Sequence, residues 1–225
     1  PEAAFIHSRG TVDVVKVWAS IQGEGPFAGL KAVFIRLAGC DLQCPGCDTD
    51  YTTGRKKMTP TQVVSEVQSL MRKSLVVITG GEPFRQNIGP LVRLLLNTGF
   101  HIQIETNGTM VPSDEPKSRF PWDKVVLVCS PKTPKLHPEI VPVIDYYKYV
   151  LDAEHVAEDG LPSSVLGMKH APARPPEGYD VPVFLQPMED VDPKKSAKNA
   201  DAVTLSVMMF NYRWCIQLHK VLGME

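Results

Sequence analysis

The amino-acid sequence predicts an α/β fold built on a parallel sheet, and three observations indicate it. Short β-branched runs alternate with helical patterns along the chain, as in parallel strands joined by crossover helices. Polar motifs directly follow five of these runs: CDLQCPGCDT, GGEP, ETNG, SPK and QPME. In parallel β/α folds the loops at the carboxyl ends of the strands carry the chemistry. We therefore expect a single site at one end of a partial barrel with about six core strands.

Each element follows from a local pattern. A helix begins after Thr59, because Thr, Pro and Gln at positions 59, 60 and 62 form a capping box. Apolar residues at helical spacing predict further helices over 88–96 and 194–210. Runs rich in Val, Ile, Leu and aromatic residues predict strands over 12–20, 32–37, 75–79, 101–105, 124–129, 146–151, 183–186 and 214–220.

Two stretches carry no such pattern. Residues 1–11 are expected to form a flexible N-terminal tail, and residues 12–225 a single domain. The stretch 152–182 is rich in Pro and Gly and is predicted to contain no regular element that can be placed.

Composition narrows the functional class. A hydrophobic content of 43% and a charged content of 22% are ordinary for a globular protein. A net charge of −1 argues against a nucleic-acid partner. No run reaches the roughly 18 apolar residues that a membrane span needs, and residues 1–10 lack a signal core. We expect a cytoplasmic protein that binds neither nucleic acid nor membrane.

Three cysteines follow the second predicted strand at C-x3-C-x2-C spacing: Cys40, Cys44 and Cys47. Four cysteines usually hold a [4Fe–4S] cluster, so three leave one iron open for a ligand. Structural zinc usually takes two separated ligand pairs, and a disulfide would leave an odd thiol in the loop. The open cluster is the favoured hypothesis, and a non-catalytic module that binds zinc or a closed cluster is an alternative. Cys129 and Cys215 are predicted to be buried in the core.

Polar residues elsewhere allow two interpretations. Arg36 lies in an apolar strand, so it either bridges to a structural carboxylate or binds the carboxylate of a ligand. Gln22 and Glu24 share one side of an extended segment, which is either a turn or a ligand contact. His219 is predicted on a strand face with Cys215 and Gln217, and it is either structural or catalytic.

The cysteine spacing resembles that of the radical S-adenosylmethionine (SAM) enzymes, and GGEP resembles their segment for the methionyl amino group. SIQGEG, FIRLAGC, CDT, TGGEP, ETNGT, SPK, QPM and QLHKVLG together resemble the 7-carboxy-7-deazaguanine synthase family from about residue 20 onward. The resemblance implies a truncated, partial (β/α)6-type radical SAM barrel with extra N- and C-terminal strands, and a homodimer.

The resemblance also implies an activity. Members of the family are lyases that contract 6-carboxy-5,6,7,8-tetrahydropterin to 7-carboxy-7-deazaguanine with loss of ammonia, which is a step toward queuosine. The implied cofactors are a [4Fe–4S] cluster, SAM and Mg²⁺, and a flavodoxin or ferredoxin is the expected electron donor. A glycyl-radical-enzyme activase, which acts on a protein, is the alternative enzyme. IQGEG and QLHK favour a small polar substrate instead.

Residue roles follow by matching motif. Cys40, Cys44 and Cys47 are expected to hold the cluster, and Thr49 the Mg²⁺. The expected SAM contacts are Gly80, Gly81, Glu82, Glu105, Asn107, Ser130, Pro131, Lys132, Gln186, Pro187, Met188 and Glu189. The expected substrate contacts are Ile21, Gln22, Gly23, Glu24, Arg36, Thr79 and the main-chain carboxylate of Glu225, with Arg36, Glu24 and His219 as catalytic candidates.

The sequence departs from the pattern at two positions. Gly46 stands where radical SAM enzymes usually carry an aromatic residue near the adenine, so that contact must come from elsewhere. Glu225 stands where a small residue or proline is expected.

Overall fold

The structure is a computed structural model that describes residues 1–3, 10–112 and 119–224. In these ranges nine strands form a sheet of order β3-β1-β2-β4-β5-β6-β7-β8-β9. The strands are β1 Val12–Ile21, β2 Lys31–Leu37, β3 Lys56–Met58, β4 Leu75–Gly80, β5 His101–Thr106, β6 Val125–Cys129, β7 Tyr146–Leu151, β8 Val183–Pro187 and β9 Arg213–Trp214. The α-helices are α1 Pro60–Leu70, α2 Gly89–Asn97, α3 Pro193–Phe210 and α4 Leu218–Val221.

The sheet is a parallel array with an antiparallel start. Strand β2 and strands β4 to β9 pair in parallel, whereas β1 pairs antiparallel with both β2 and β3. Within the described chain β3 and β9 end the order and do not pair with each other, so the sheet stays open. The predicted partial barrel with extra N- and C-terminal strands is confirmed.

The first helix shows how local sequence sets an element boundary. The Thr59 hydroxyl accepts a hydrogen bond from the Gln62 backbone N–H at 3.3 Å, and the Gln62 side chain accepts one from the Thr59 N–H at 2.8 Å. This is the predicted capping box, followed by Pro60 at the first helical position. The buried face of the helix consists of Val63, Val64 and Val67.

Strand β2 divides the core from the site. Val33, Ile35 and Leu37 are completely buried in the same apolar cluster as helices α1 and α2. Phe34 and Arg36 point to the other face and line a cavity. The period of two along a strand therefore places the only charged side chain between Ala32 and Leu37 on the cavity side.

The C-terminal segment corrects one prediction. Residues 214–220 do not form a strand, because β9 contains only Arg213 and Trp214 and residues 218–221 are helical. The chain turns after Cys215, and the Leu218 N–H donates to the Gly23 carbonyl at 3.0 Å. Cys215, Gln217 and His219 therefore do not share a strand face, although Cys215 and Cys129 are buried as predicted.

Two other regions differ from a regular alternation. The sequence analysis did not predict β3, since two of its three residues are exposed lysines without an apolar pattern. Residues 152–182 contain no helix or strand, only an isolated bridge between Val156 and Pro162. In the described ranges no α-helix follows β5, β6 or β7, so that side of the barrel is covered by loops and short 3-10 turns.

None of the helices in the described ranges is both long enough and apolar enough to span a bilayer. Strand β1 begins at Val12, the first residue of the predicted domain. The single domain over 12–225 and the flexible tail over 1–11 stay predictions, and residues 1–3 contact the cysteine loop as described below.

Candidate active site

The polar motifs open onto one cavity of about 800 Å³ at the carboxyl ends of the parallel strands. It brings together most of the residues that the sequence analysis selected: Ile21, Gln22, Glu24, Arg36, Cys40, Cys44, Cys47, Thr49, Thr79, Gly80, Gly81, Glu105, Asn107, Ser130, Lys132, Gln186, Pro187, Met188, Glu189 and His219. Gly23, Glu82 and Pro131 do not line it, and Glu225 lies outside the described residues.

The three cysteines of the loop face this cavity at different depths. Cys40 is buried, Cys44 is half-buried and Cys47 is exposed. In a cubane cluster each thiolate binds a different iron, so the three sulfurs need not converge on one atom. Among the described residues no three His, Cys, Asp or Glu side chains are placed to hold a single metal ion. Three thiolates on one short loop can therefore bind three irons of such a cluster.

Burial affects the thiols of this loop. It raises the pKa of the Cys40 thiol to about 12, and it also raises the pKa of Cys44. A coordinating metal deprotonates a thiol outright, so cluster binding supplies the charge that stabilises these thiolates.

Asp41 anchors the loop to the end of β5. Its carboxylate accepts hydrogen bonds from the Asn107 side-chain amide at 2.9 Å and from the Thr109 hydroxyl at 2.5 Å. Further along, the Gly46 N–H donates to the Leu166 carbonyl at 2.9 Å. Leu166 lines the same cavity as Gly46, and its backbone packs against Gly46, so the stretch 152–182 contributes an apolar residue beside this position.

Glycine is required where GGEP packs against the cysteine loop. The Gly81 N–H donates to the Leu37 carbonyl at 3.3 Å, and the Glu82 N–H donates to the Gly39 carbonyl at 3.0 Å. A Cβ atom at Gly81 would lie 2.0 Å from the Gly39 oxygen. Only a residue without a side chain allows this approach of two backbones.

Glu82 is fully buried behind the cavity wall. Its carboxylate accepts hydrogen bonds from the Phe84 N–H at 3.0 Å, the Thr106 hydroxyl at 2.8 Å and the Asn107 N–H at 2.8 Å. Burial raises the pKa of the Glu82 carboxyl to about 7, and these bonds act in the opposite direction. The Glu82 side chain therefore ties the ends of β4 and β5 together, and its predicted contact with SAM stays a prediction.

Arg36 lies in the cavity with an unused donor. Its guanidinium stacks over the Trp18 ring at 4.9 Å, and Trp18 in turn stacks on Phe34 at 5.0 Å between ring centroids. The Nε atom of Arg36 is buried and has no hydrogen-bond partner in the described part of the chain. A buried unpartnered donor is costly, so this atom points to an absent acceptor such as a ligand carboxylate.

Glu105 accepts hydrogen bonds from three donors at the cavity wall, on the strand next to Thr79. Its carboxylate accepts from the Gln22 side chain at 3.3 Å, the Thr79 hydroxyl at 3.0 Å and the Gln103 side chain at 2.9 Å. One carboxylate at the cavity wall thus joins the segment after β1 to strands β4 and β5. Of this group, the sequence analysis did not select Gln103 as a site residue.

Glu24 is the second fixed carboxylate. It forms an ion pair with Lys148 of β7 and accepts a hydrogen bond from the Gln217 side chain at 3.0 Å, while its N–H donates to the Gln22 side chain at 3.1 Å. Burial by itself would raise the pKa of the Glu24 carboxyl, but Lys148, Gln217 and His219 lower it below its ordinary value.

Lys148 is a buried charged residue of the cavity wall that sequence reasoning missed. It lies between the buried residues Tyr147 and Tyr149, so it is a charge in an apolar strand, which is the signal that selected Arg36. Other cavity-lining residues that were missed are Trp18, Tyr51, Leu166 and Gln217.

Lys132 and His219 also line the cavity. The Lys132 ammonium donates to the carbonyl and the hydroxyl of Ser130, at 2.7 and 2.5 Å, and burial lowers its pKa to about 8. His219 reaches the cavity from α4 because Gly23 leaves room for it: a Cβ atom at Gly23 would lie 2.0 Å from the His219 ring nitrogen Nδ1.

Oxygen donors lie beside the cysteine loop. The Thr49 hydroxyl donates to the Asp48 carboxylate at 3.3 Å, and both residues line the cavity. Hydroxyl and carboxylate oxygens suit Mg²⁺, which keeps several waters and takes few protein ligands.

The N-terminal residues contact the cysteine loop from outside the cavity. The Glu2 N–H donates to the Cys40 carbonyl at 2.7 Å, and the Glu2 carboxylate pairs with Arg85 at 2.8 Å and with Arg55. These contacts of Glu2 hold the backbone of Cys40 in place.

Comparison with known proteins places the chain. The profile of the radical SAM superfamily matches residues 34–117. The 7-carboxy-7-deazaguanine synthase of Rhodospirillum rubrum is 42% identical, with 93% of this chain and 91% of the relative covered. That of Rickettsia prowazekii is 35% identical over 100% of this chain and 94% of the relative. The crystal structure of QueE from Escherichia coli shares the fold, with a TM-score of 0.67, 22% identity, and coverage of 92% of this chain and 94% of that one. The chain therefore belongs to the 7-carboxy-7-deazaguanine synthase family of the radical SAM superfamily.

Proposed function

We propose that this chain is a radical SAM lyase that converts 6-carboxy-5,6,7,8-tetrahydropterin to 7-carboxy-7-deazaguanine with loss of ammonia. The curated relatives carry the name of this synthase. The observation that supports it most directly is that one cavity holds the three-cysteine loop, an Arg36 donor without a partner among the described residues, and two fixed carboxylates, Glu24 and Glu105. A bound organic acid with N–H donors at its other end would satisfy all three.

Cys40, Cys44 and Cys47 would hold the [4Fe–4S] cluster, whose open iron and bound SAM supply a carbon-centred radical for hydrogen removal. Gly81 and Lys132 would bind the methionyl part of SAM, Lys132 by its charge. The remaining SAM contacts would come from the motif residues Gly80, Glu105, Asn107, Ser130, Gln186, Pro187, Met188 and Glu189, with Glu82 and Pro131 supporting them from behind the wall.

Arg36 would bind the substrate carboxylate with its planar fork and Nε donor. Ile21, Gln22, Gly23 and Glu24 would bind the pterin edge, and Thr79 would contact the ring. Held at both ends, a flat bicycle presents one face to the radical, and such positioning contributes strongly to rate. The main-chain carboxylate of Glu225 is proposed to accept from the amino-pyrimidine edge.

His219 would exchange a proton with the pterin beside Glu24, because both residues line the same part of the cavity. Thr49, with Asp48 beside it, would bind Mg²⁺. A bound divalent ion would orient the substrate carboxylate during the rearrangement.

The resemblance also supports three further proposals: a homodimer, a flavodoxin or ferredoxin as electron donor, and a cytoplasmic location. A small-molecule substrate agrees with a cavity of about 800 Å³ whose wall carries several charged and polar side chains.

Anaerobic reconstitution with iron and sulfide, followed by incubation with SAM, reductant, Mg²⁺ and the carboxypterin, tests the function. We expect 5′-deoxyadenosine and 7-carboxy-7-deazaguanine. Omission of Mg²⁺ tests the metal, and addition of a protein substrate tests the activase alternative. Absence of the deazaguanine in a brown, SAM-cleaving preparation would contradict the proposed substrate, and a colourless protein with stoichiometric zinc would contradict the cluster.

A further inference from the structure

The pair Glu24 and Lys148 is more enclosed than a surface ion pair. The side chains are 16% and 13% exposed, and both line the cavity. They are 124 residues apart in the sequence: Glu24 lies on the loop after β1, and Lys148 lies on β7. Neither is required to close a helix or a turn, so the pair calls for another explanation.

Stability does not supply that explanation. Removing two charges from water costs several kcal/mol, and apolar residues of similar volume often replace such pairs without loss of stability. The Glu24 carboxylate is also oriented from a second side by Gln217 at 3.0 Å. A carboxylate has about four acceptor sites, so with these two donors it still has acceptor sites for the cavity.

We propose that Lys148 is a positioning residue that keeps Glu24 ionised and oriented to accept from the N–H donors of the pterin ring. This inference rests on the proposed function. Lys148 acts through Glu24, and it fixes which edge of a nitrogen heterocycle the cavity accepts. A ligand that offers acceptors instead of N–H donors at this edge would face a negative charge and be rejected.

The surroundings of Glu24 show why Lys148 matters. The groups that face it are Lys148 from β7, Gln217 and His219 from the C-terminal segment, and Cys215. On the far side of Gln22 lies the carboxylate of Glu105. Without Lys148, burial and the nearby acidic groups favour the protonated carboxyl, which donates where the pterin also donates.

The Lys148→Met variant removes the charge and keeps the apolar stem. At pH 7 we expect kcat/KM for the carboxypterin to fall by roughly 30-fold or more, as for truncation of a buried charge pair. Because the unpaired Glu24 then titrates at a higher pH, the activity of this variant relative to the wild type should rise with pH. The cluster-free chain, titrated with the carboxypterin by fluorescence quenching, should show the same pattern in Kd.

Three variants test whether the effect runs through Glu24. Lys148→Arg retains the charge and should recover at least about a tenth of the wild-type activity. The double variant Lys148→Met with Glu24→Gln should lose the pH dependence and be no worse than Glu24→Gln alone. Lys57→Met, on the exposed strand β3, is the matched control and should behave as the wild type.

The inference is overturned if the ratio of Lys148→Met activity to wild-type activity does not change with pH, or if the double variant shows the sum of both single losses. Should Lys148→Met fail to fold, Lys148→Gln takes its place, since its amide keeps a donor without the charge, and the same pH dependence is expected. A wild type that makes no deazaguanine contradicts the proposed function instead, and the pterin titration of the cluster-free chain then tests the inference separately.

Discussion

The two sides of the cavity are built by different kinds of bonds. On the cluster side, backbone groups contact each other directly: Gly81 and Glu82 donate to the carbonyls of Leu37 and Gly39. On the substrate side, charged and amide side chains from distant elements hold one another, as Glu24 and Lys148 do. Geometry on the first side depends on close backbone packing together with the hydrogen-bonded carboxylates of Asp41 and Glu82, and on the second side it depends on paired opposite charges.

Gln86 illustrates the cluster side. Its buried side chain accepts from the Asp13 N–H at 2.7 Å and donates to the carbonyls of Asp13 and Ala38 at 3.0 Å each. It thereby fixes the end of β2 from which the cysteine loop starts. A neutral, fully bonded group does this without dependence on pH, which suits a loop that must hold a cluster in one place.

The largest expected effect is on the cluster side. Cys40→Ala removes one of three thiolates, so we expect loss of the brown colour, of iron and of SAM cleavage. Iron and sulfide content after anaerobic reconstitution measure this. Cys129→Ala, which removes a buried thiol outside the cavity, should retain the cluster. Full iron content in Cys40→Ala would contradict the assignment.

Arg36→Ala separates the two sides functionally. Without the guanidinium the substrate carboxylate has no charged partner, so we expect ring contraction to fall by roughly 100-fold or more. SAM cleavage without substrate should survive, since the cysteine loop is untouched. Product and 5′-deoxyadenosine are quantified together. Arg72→Ala, which removes an exposed arginine after α1 that does not line the cavity, is the control. If Arg36→Ala lost SAM cleavage and ring contraction equally, Arg36 would not act on the substrate side alone, and the functional separation of the two sides would be wrong.

Gln86→Leu should affect stability more than pH dependence. It leaves buried backbone groups of Asp13 and Ala38 without this partner, and we expect the free energy of unfolding to fall by roughly 2–4 kcal/mol. Denaturant titration measures it. Gln68→Leu, on the exposed face of α1, should change it by about 0.5 kcal/mol or less. An unchanged midpoint for Gln86→Leu would contradict the supporting role.

Glu24→Gln should have the smallest effect on stability, and that effect should depend on pH. The pKa of the Glu24 carboxyl is lowered in the folded chain, so its contribution is complete above the unfolded carboxyl pKa of about 4.3 and is lost as pH falls through the folded value. We expect a gap of roughly 1–2 kcal/mol at pH 7 that closes below about pH 4.

Melting temperatures from pH 3 to 8 test this prediction. Glu66→Gln on the exposed side of α1 should show no such gap. A gap for Glu24→Gln that stays constant with pH would show that charge does not organise the substrate side.

The C-terminal segment shows where sequence reasoning failed. The run WCIQLHK alternates like a strand, yet the chain leaves the sheet after Trp214 and forms α4. The Leu218 N–H bonds to the Gly23 carbonyl and not to a neighbouring strand. A local sequence pattern cannot predict this contact, because the two residues are far apart in the chain. His219 reaches the cavity by this turn and not by a strand face.

The sequence by itself determined the parallel α/β plan, the capped start of α1 and the position of the cysteine loop, because each depends on residues that are neighbours in the chain. Only the tertiary structure decided that Lys148 meets Glu24, that Leu166 lies beside Gly46 and that Glu82 is a buried support. Such contacts join distant residues across strands, and their energies depend on burial, which a linear pattern does not specify.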